Sequence, residues 1–212
     1  MAKALPLSFI HRFEKGAEPD ARPLLLLHGT GGDENDLIPL GRMMAPAAPL
    51  LSPRGKVLEN GMPRFFRRFA EGRFDEDDVR QRAQELADFI EQARTHYGIA
   101  PPIALGYSNG ANIAAALLLL RPQTLAGAIL LRATLPLAQT TPVDLTGKPV
   151  LIDSGASDPM MTPEGAAQLA ALLQQYGASV EHRTLPSGHE LSQADVTIAQ
   201  AWLRSHAQSA AK

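Results

Sequence analysis

Ile103-Ala104-Leu105-Gly106-Tyr107-Ser108-Asn109-Gly110 joins a short apolar run to a helix-forming one, Ala111 to Leu120, which Pro122 stops. Three apolar residues after Pro101-Pro102 suit a buried parallel strand. The alanine- and leucine-rich run beyond is almost free of polar residues, so its helix is expected to be buried on most sides. Between the two, Ser108 sits in a tight turn with a glycine two positions away on either side. Strand, turn and helix in that order is the setting a nucleophilic serine needs. The turn lifts Oγ clear of the sheet, the glycines avoid Cβ clashes, and the helix N-terminus favours negative charge. The same residues also suit a plain turn capping a helix, since Ser108 and Asn109 are both good caps.

Working outward, the pattern repeats. Leu24-Leu25-Leu26-Leu27 runs into His28-Gly29-Thr30-Gly31-Gly32, and Leu50-Leu51-Ser52 precedes Pro53-Arg54-Gly55; both read as strands. Val79, Ala83, Leu86, Ile90 and Ala93 are spaced by three and four, one face of a helix ending near Gly98. Ala126 to Leu131, Pro149 to Asp153 and Val180 to Leu185 read as further strands. Thr162-Pro163 opens a helix that Gly177 closes, and a last helix starts near Ser192 with Asp195 as capping-box partner. Residues Ala207 to Lys212 read as a frayed tail. Strands alternating with helices predict one α/β domain over residues 1–212, with a mostly parallel sheet and no large cap domain. Sites in such sheets lie at the carboxyl ends of strands.

Composition narrows the function classes. Apolar residues are 45% and charged residues 20% of the 212, within the range of a globular protein. A formal net charge of −2 gives no basic footprint for nucleic acid. The chain has no cysteine, which excludes disulfides, thiolate metal sites and a cysteine nucleophile. Met1 to Ile10 lacks a secretory pattern, and Ile113 to Leu120 is too short to span a bilayer. The expectation is a cytoplasmic protein without stable membrane insertion, metal or cofactor.

A serine hydroxyl needs a base to take its proton. In this architecture the chain order is serine, acid, histidine. Of the histidines after Ser108, His206 lies at the end of the last helix and His182 lies inside a strand. His189 lies in a loop just past the last strand, where a base can reach the nucleophile. Asp158, a few residues beyond the strand ending at Asp153, is the expected acid; it also suits an Asx-Pro turn, and Asp153 is the runner-up. Oxyanion donors are expected from the backbone amides of Asn109 and Thr30. The stretch from His28 to Gly32 lacks the phosphate-loop patterns.

Together, Leu24–Gly29, Gly106–Gly110, Ser154–Pro159 and Gly188–Glu190 resemble the carboxylesterase/phospholipase branch of the α/β-hydrolases, which includes acyl-protein thioesterases. The resemblance implies a single-domain α/β-hydrolase with a triad of Ser108, Asp158 and His189 and oxyanion amides at Thr30 and Asn109. It implies a carboxylesterase acting on a small-molecule ester through an acyl-serine intermediate. A thioesterase or lysophospholipase with the same triad, and a catalytically silent relative acting as a binding protein, are the alternatives. Many members have glutamine where this chain has Asn109, and many are homodimers, so a homodimer is one expectation. Substrate contacts are expected from Phe65 and Phe66, in a segment from Asn60 to Phe69 that would fold over the site as a short lid, and from Met160 and Met161 after Asp158. Arg64, Arg67 and Arg68 in that lid are candidates for holding a phosphate or carboxylate.

Overall fold

The leucine run at 24–27 is the middle of the molecule: all four side chains are buried. Alternate residues of a strand point to opposite faces. Leu25 and Leu27 therefore join one core and Leu24 and Leu26 another. A chain that is apolar at every position of a strand can only be satisfied when both faces are covered by helices.

The computed structural model describes residues 7–18 and 21–206, so the tail expected at Ala207–Lys212 lies outside the described residues. In chain order the elements are β1 (His11–Glu14), β2 (Leu24–Leu27), α1 (Ile38–Met44), β3 (Leu50–Pro53), β4 (Val57–Glu59), β5 (Met62–Arg64), β6 (Arg68–Ala70) and β7 (Arg73–Phe74). There follow α2 (Glu76–Tyr97), β8 (Ile103–Tyr107), α3 (Asn109–Leu120), a 3₁₀ turn (Pro122–Thr124), β9 (Gly127–Leu131), β10 (Pro149–Gly155), α4 (Pro163–Gln175), β11 (Ser179–Leu185) and α5 (Gln193–His206).

Seven strands form one sheet in the order β1-β3-β2-β8-β9-β10-β11. β1 pairs antiparallel with β3, and every other pairing is parallel. The larger core lies between one face and α2, α3 and α4; the smaller lies between the other face and α1 and α5. The five α2 residues picked out by their spacing are all buried. α2 opens on Asp75, whose side chain accepts from the Asp78 amide, and closes on Gly98 in the left-handed region. α3 is buried from Asn109 to Leu119, as its composition requires. This is the mostly parallel, helix-flanked sheet that the alternation predicts.

The expected lid is two small antiparallel hairpins, β4–β5 and β6–β7. Phe65 and Phe66, expected to meet substrate, are instead core residues, 3% and 0% exposed. Phe65 packs on His28 and Phe66 edge-on against Phe74. Two adjacent large apolar rings are stabilised more by leaving water than by lining an open site.

Candidate active site

The turn between β8 and α3 is built by close approach. A Cβ on Gly110 would lie 1.9 Å from the Leu27 carbonyl oxygen, and one on Gly106 would lie 2.5 Å from the Gly110 oxygen. Neither position admits a side chain, so α3 can cross directly over β2 and β8. Ser108 itself takes φ 53°, ψ −113°, a strained conformation for a residue with a Cβ. Its amide donates to Leu131 O at 2.9 Å, anchoring the turn to β9.

Strand ends bring the partners to this serine. The Ser108 hydroxyl donates to His189 Nε2 at 2.9 Å, and His189 Nδ1–H donates to Asp158 Oδ2 at 2.7 Å. The other oxygen of Asp158 accepts from the amides of Met160 (2.8 Å) and Met161 (3.0 Å). Those two bonds fix the carboxylate's orientation. The acid and base loops touch directly: the Ser157 amide donates to Ser187 O, and a Cβ on Gly155 would lie 2.2 Å from Gly188 O. Tyr107 completes the frame, its hydroxyl donating to His189 O at 3.2 Å.

The other sequence candidates stay apart from this cluster. His182 bonds to Ser154 Oγ, and His206 stacks on Trp202. Asp153 is fully buried with neither carboxylate oxygen hydrogen-bonded. Burial first, and then the nearby charge of Asp195, pushes its pKa up to about 7.

Thr30 and Asn109 both face the cavity that holds Ser108 and His189. The Asn109 amide opens α3 and so has no carbonyl of its own helix to bond. The amides of Gly31 and Gly32 are taken by Pro63 O and Gly29 O, whereas the Thr30 amide donates to no carbonyl among the described residues. His28 holds this loop in place: Nδ1–H donates to Gly29 O and Nε2 accepts from the Gly55 amide. Burial pushes the His28 pKa down, which suits a neutral ring with one donor and one acceptor. Two free amides beside a serine–histidine pair are what a developing oxyanion requires.

Sequence reading missed the group that holds the base loop. Arg132 is fully buried, with φ 59°. Its guanidinium pairs with both oxygens of Asp195 (2.6 and 3.0 Å). It also donates to Gly188 O, Glu190 O, Ser187 Oγ and Asp153 O. Asp195 doubles as the capping-box acceptor for the Ser192 amide. Although burial opposes it, the bonds from Arg132 and Ser192 hold the Asp195 carboxyl below its usual range. One ion pair thus ties β9, the His189 loop and α5 together.

The cavity is small, about 190 Å³, and is lined by Phe74, Met160, Met161 and the two arginines Arg64 and Arg68 as well as the groups above. Arg67 points elsewhere; it is 60% exposed and pairs with Asp75.

Sheet, strained serine turn and serine–histidine–aspartate chain define the class: a hydrolase of the α/β-hydrolase fold. The chain belongs to the phospholipase/carboxylesterase family, whose model matches residues 10–207. It is 47% identical over 196 residues to MhqD of Bacillus subtilis (strain 168), a protein whose name carries a provisional hydrolase assignment, covering 92% of this chain and 97% of that one. The crystal structure of the Bacillus cereus carboxylesterase superposes with a TM-score of 0.93 at 42% identity, covering 95% and 96% of the two chains. YahD, solved with malic acid, superposes with a TM-score of 0.88 at 30% identity, covering 93% and 99%. Among the described residues no helix is long and apolar enough to cross a membrane.

Proposed function

We propose that the chain is a carboxylic ester hydrolase with Ser108 as nucleophile, His189 as base and Asp158 as its orienting acid. The observation that carries this reading is the unbroken chain of hydrogen bonds Ser108 Oγ–His189 Nε2 (2.9 Å) and His189 Nδ1–Asp158 Oδ2 (2.7 Å) at the mouth of a cavity.

In the first half-reaction Ser108 Oγ attacks the ester carbonyl carbon while His189 Nε2 takes its proton. The carbonyl oxygen becomes an oxyanion held by the Thr30 and Asn109 amides. Collapse of this intermediate breaks the bond to the alcohol oxygen, which leaves with the proton from His189, and Ser108 is left acylated. Water then attacks the acyl carbon with His189 again as base. The acid departs and the Ser108 hydroxyl is restored. Asp158 keeps the ring in the required tautomer and stabilises the imidazolium without taking the proton. The small cavity favours short acyl and alcohol groups over long chains. Malic acid, held by YahD, is in that size range.

Intact mass after treatment with a fluorophosphonate tests this. One adduct is expected, absent in Ser108→Ala, with turnover of a short ester falling roughly 10⁴–10⁶-fold. His189→Ala should fall comparably, whereas His182→Ala should retain turnover. An adduct that persists in Ser108→Ala, or full activity in His189→Ala, refutes the assignment. Short esters, acyl thioesters and lysophospholipids assayed in parallel decide among the substrates this machinery serves.

A further inference from the structure

The cavity wall beside Ser108 carries two neighbouring guanidinium groups against one close carboxylate and one that is largely in solvent. Arg64 is buried, its side chain 3% exposed. Nε donates to Phe66 O, and Nη1 donates to Thr30 Oγ1 at 2.6 Å and to Glu59 at 3.2 Å. Nη2 donates to no described protein atom. Arg68 also lines the cavity and shares the same carboxylate, its Nε donating to Glu59 at 3.1 Å. Glu59 is not among the lining residues, and the one carboxylate that is, Glu71, is 64% exposed and 3.8 Å from Arg68. Two guanidinium groups therefore share one close carboxylate. Burial, and then repulsion from Arg68, lowers the Arg64 pKa, so an added anion would relieve an existing electrostatic cost. A second donor without a partner belongs to Asn109, another residue of the cavity lining. Asn109 Oδ1 accepts from the Phe65 amide at 2.7 Å, which fixes the side-chain amide, and its buried Nδ2 has no acceptor. Buried donors without partners are rare enough to require an explanation.

Building on the esterase reading, we propose that Arg64 and Arg68 form an anion subsite beside Ser108, and that the preferred substrate is a short ester carrying a free carboxylate, such as a half-ester of a small dicarboxylic acid. Of the groups that line the cavity, two are cationic and one, the largely exposed Glu71, is anionic, and that modest positive balance matches a monoanionic carboxylate. A dianionic phosphate would bring a second charge that the wall does not balance. The planar fork of arginine suits a carboxylate better than a point charge does. Phe74, Met160 and Met161 supply apolar surface for the intervening carbons. Arg64 also holds Thr30 Oγ1, so the group that reads the substrate's charge is bonded to the residue offering an oxyanion amide.

Monomethyl succinate and dimethyl succinate separate the possibilities. The wild type is expected to favour the half-ester in kcat/KM by about tenfold or more. In Arg68→Gln and in Arg64→Lys the half-ester to diester ratio should fall about fivefold or more, mainly through KM, while Arg67→Gln keeps the wild-type ratio. Equal use of the two esters by the wild type, or a ratio that survives both substitutions, overturns the subsite. Higher kcat/KM on an analogue bearing a phosphate monoester overturns its assignment to carboxylates. Binding of succinate, followed by calorimetry, reads the subsite without turnover. It should be saturable in the wild type and about fivefold weaker in Arg68→Gln, and binding that is absent or indifferent to Arg68 again overturns the proposal. Loss of all Ser108-dependent hydrolysis would instead sink the esterase reading, leaving the succinate result to stand on its own.

Discussion

Two buried arginines flank the candidate active site, and they are satisfied very differently. Arg132 has a protein acceptor for every guanidinium nitrogen and a bidentate carboxylate at Asp195. Arg64 is nearly as buried but leaves Nη2 without a protein partner and shares Glu59 with Arg68. A fully satisfied buried charge holds protein to protein. One that keeps a nitrogen free of protein partners on a cavity wall has a donor to offer to what enters the cavity. Arg132 thus belongs to the architecture that holds the base loop, and Arg64 to recognition.

The largest effect should come from Arg132. Arg132→Met leaves Asp195 buried and uncompensated, which should cost roughly 3–5 kcal/mol in urea unfolding. The double variant Arg132→Met/Asp195→Leu removes the stranded charge and should recover most of that stability. Its kcat should stay low, because Gly188 O and Glu190 O on either side of His189 have still lost their donor. If kcat returned together with stability, Arg132 would be a structural residue alone, and its tie to His189 would carry no consequence for the base.

Asp153 sharpens the same contrast, because it is a buried carboxyl in the Arg132 neighbourhood that has no hydrogen-bond partner. Its folded pKa is pushed up to about 7 from 3.8. A raised carboxyl pKa means that the native state holds a proton the unfolded chain has released. Stability from this group is therefore full below about pH 4, declines as pH rises towards 7, and changes no further above that. Roughly 2–4 kcal/mol should be lost across the window. Asp153→Asn, neutral at every pH, should flatten that part of the profile when unfolding is compared at pH 4, 5.5 and 8. An unchanged slope would show that the carboxyl is already ionised in the native protein.

The contrast also explains what could be read from the sequence. Gly106, Ser108 and Gly110 lie within five residues, and the steric reason for both glycines acts at that range, so the turn was legible. The positions of Asp158 and His189 followed from strand ends and chain order, because a parallel sheet delivers all its carboxyl ends to one edge. Arg132 and Asp195 are 63 residues apart, and no periodicity links them. Asp195 was legible only as a helix cap, which is half of what it does. Phe65 and Phe66 were read as substrate contacts because they lie in a segment, Asn60 to Phe69, expected to fold over the site as a lid. In the fold, three consecutive side chains, Arg64, Phe65 and Phe66, are all buried, and only the charged one reaches the cavity. β1, α1 and the two hairpins also escaped the reading. β1 is a half-polar edge strand, and α1 has only seven residues and no side-chain cap, so neither carries a strong periodic signal.

The smallest effect separates the two arginines most directly, because it keeps the charge and alters only the hydrogen-bonding geometry. Lysine offers three donors on a single nitrogen and cannot reproduce the arginine fork. At Arg132 that change deprives several fixed acceptors at once, so Arg132→Lys should cost roughly 2–3 kcal/mol. At Arg64 the bonds at stake are those to Phe66 O, Thr30 Oγ1 and Glu59. Glu59 keeps Arg68, and the cavity admits water to the vacated positions. Arg64→Lys should therefore cost less than about 1 kcal/mol, a fall in Tm of no more than about 2–4 °C for a chain of this size. Parallel thermal melts of the two variants decide the matter. If Arg64→Lys proved as destabilising as Arg132→Lys, Arg64 would be holding the fold as Arg132 does, and its unpartnered nitrogen would have to be explained as packing and not as recognition.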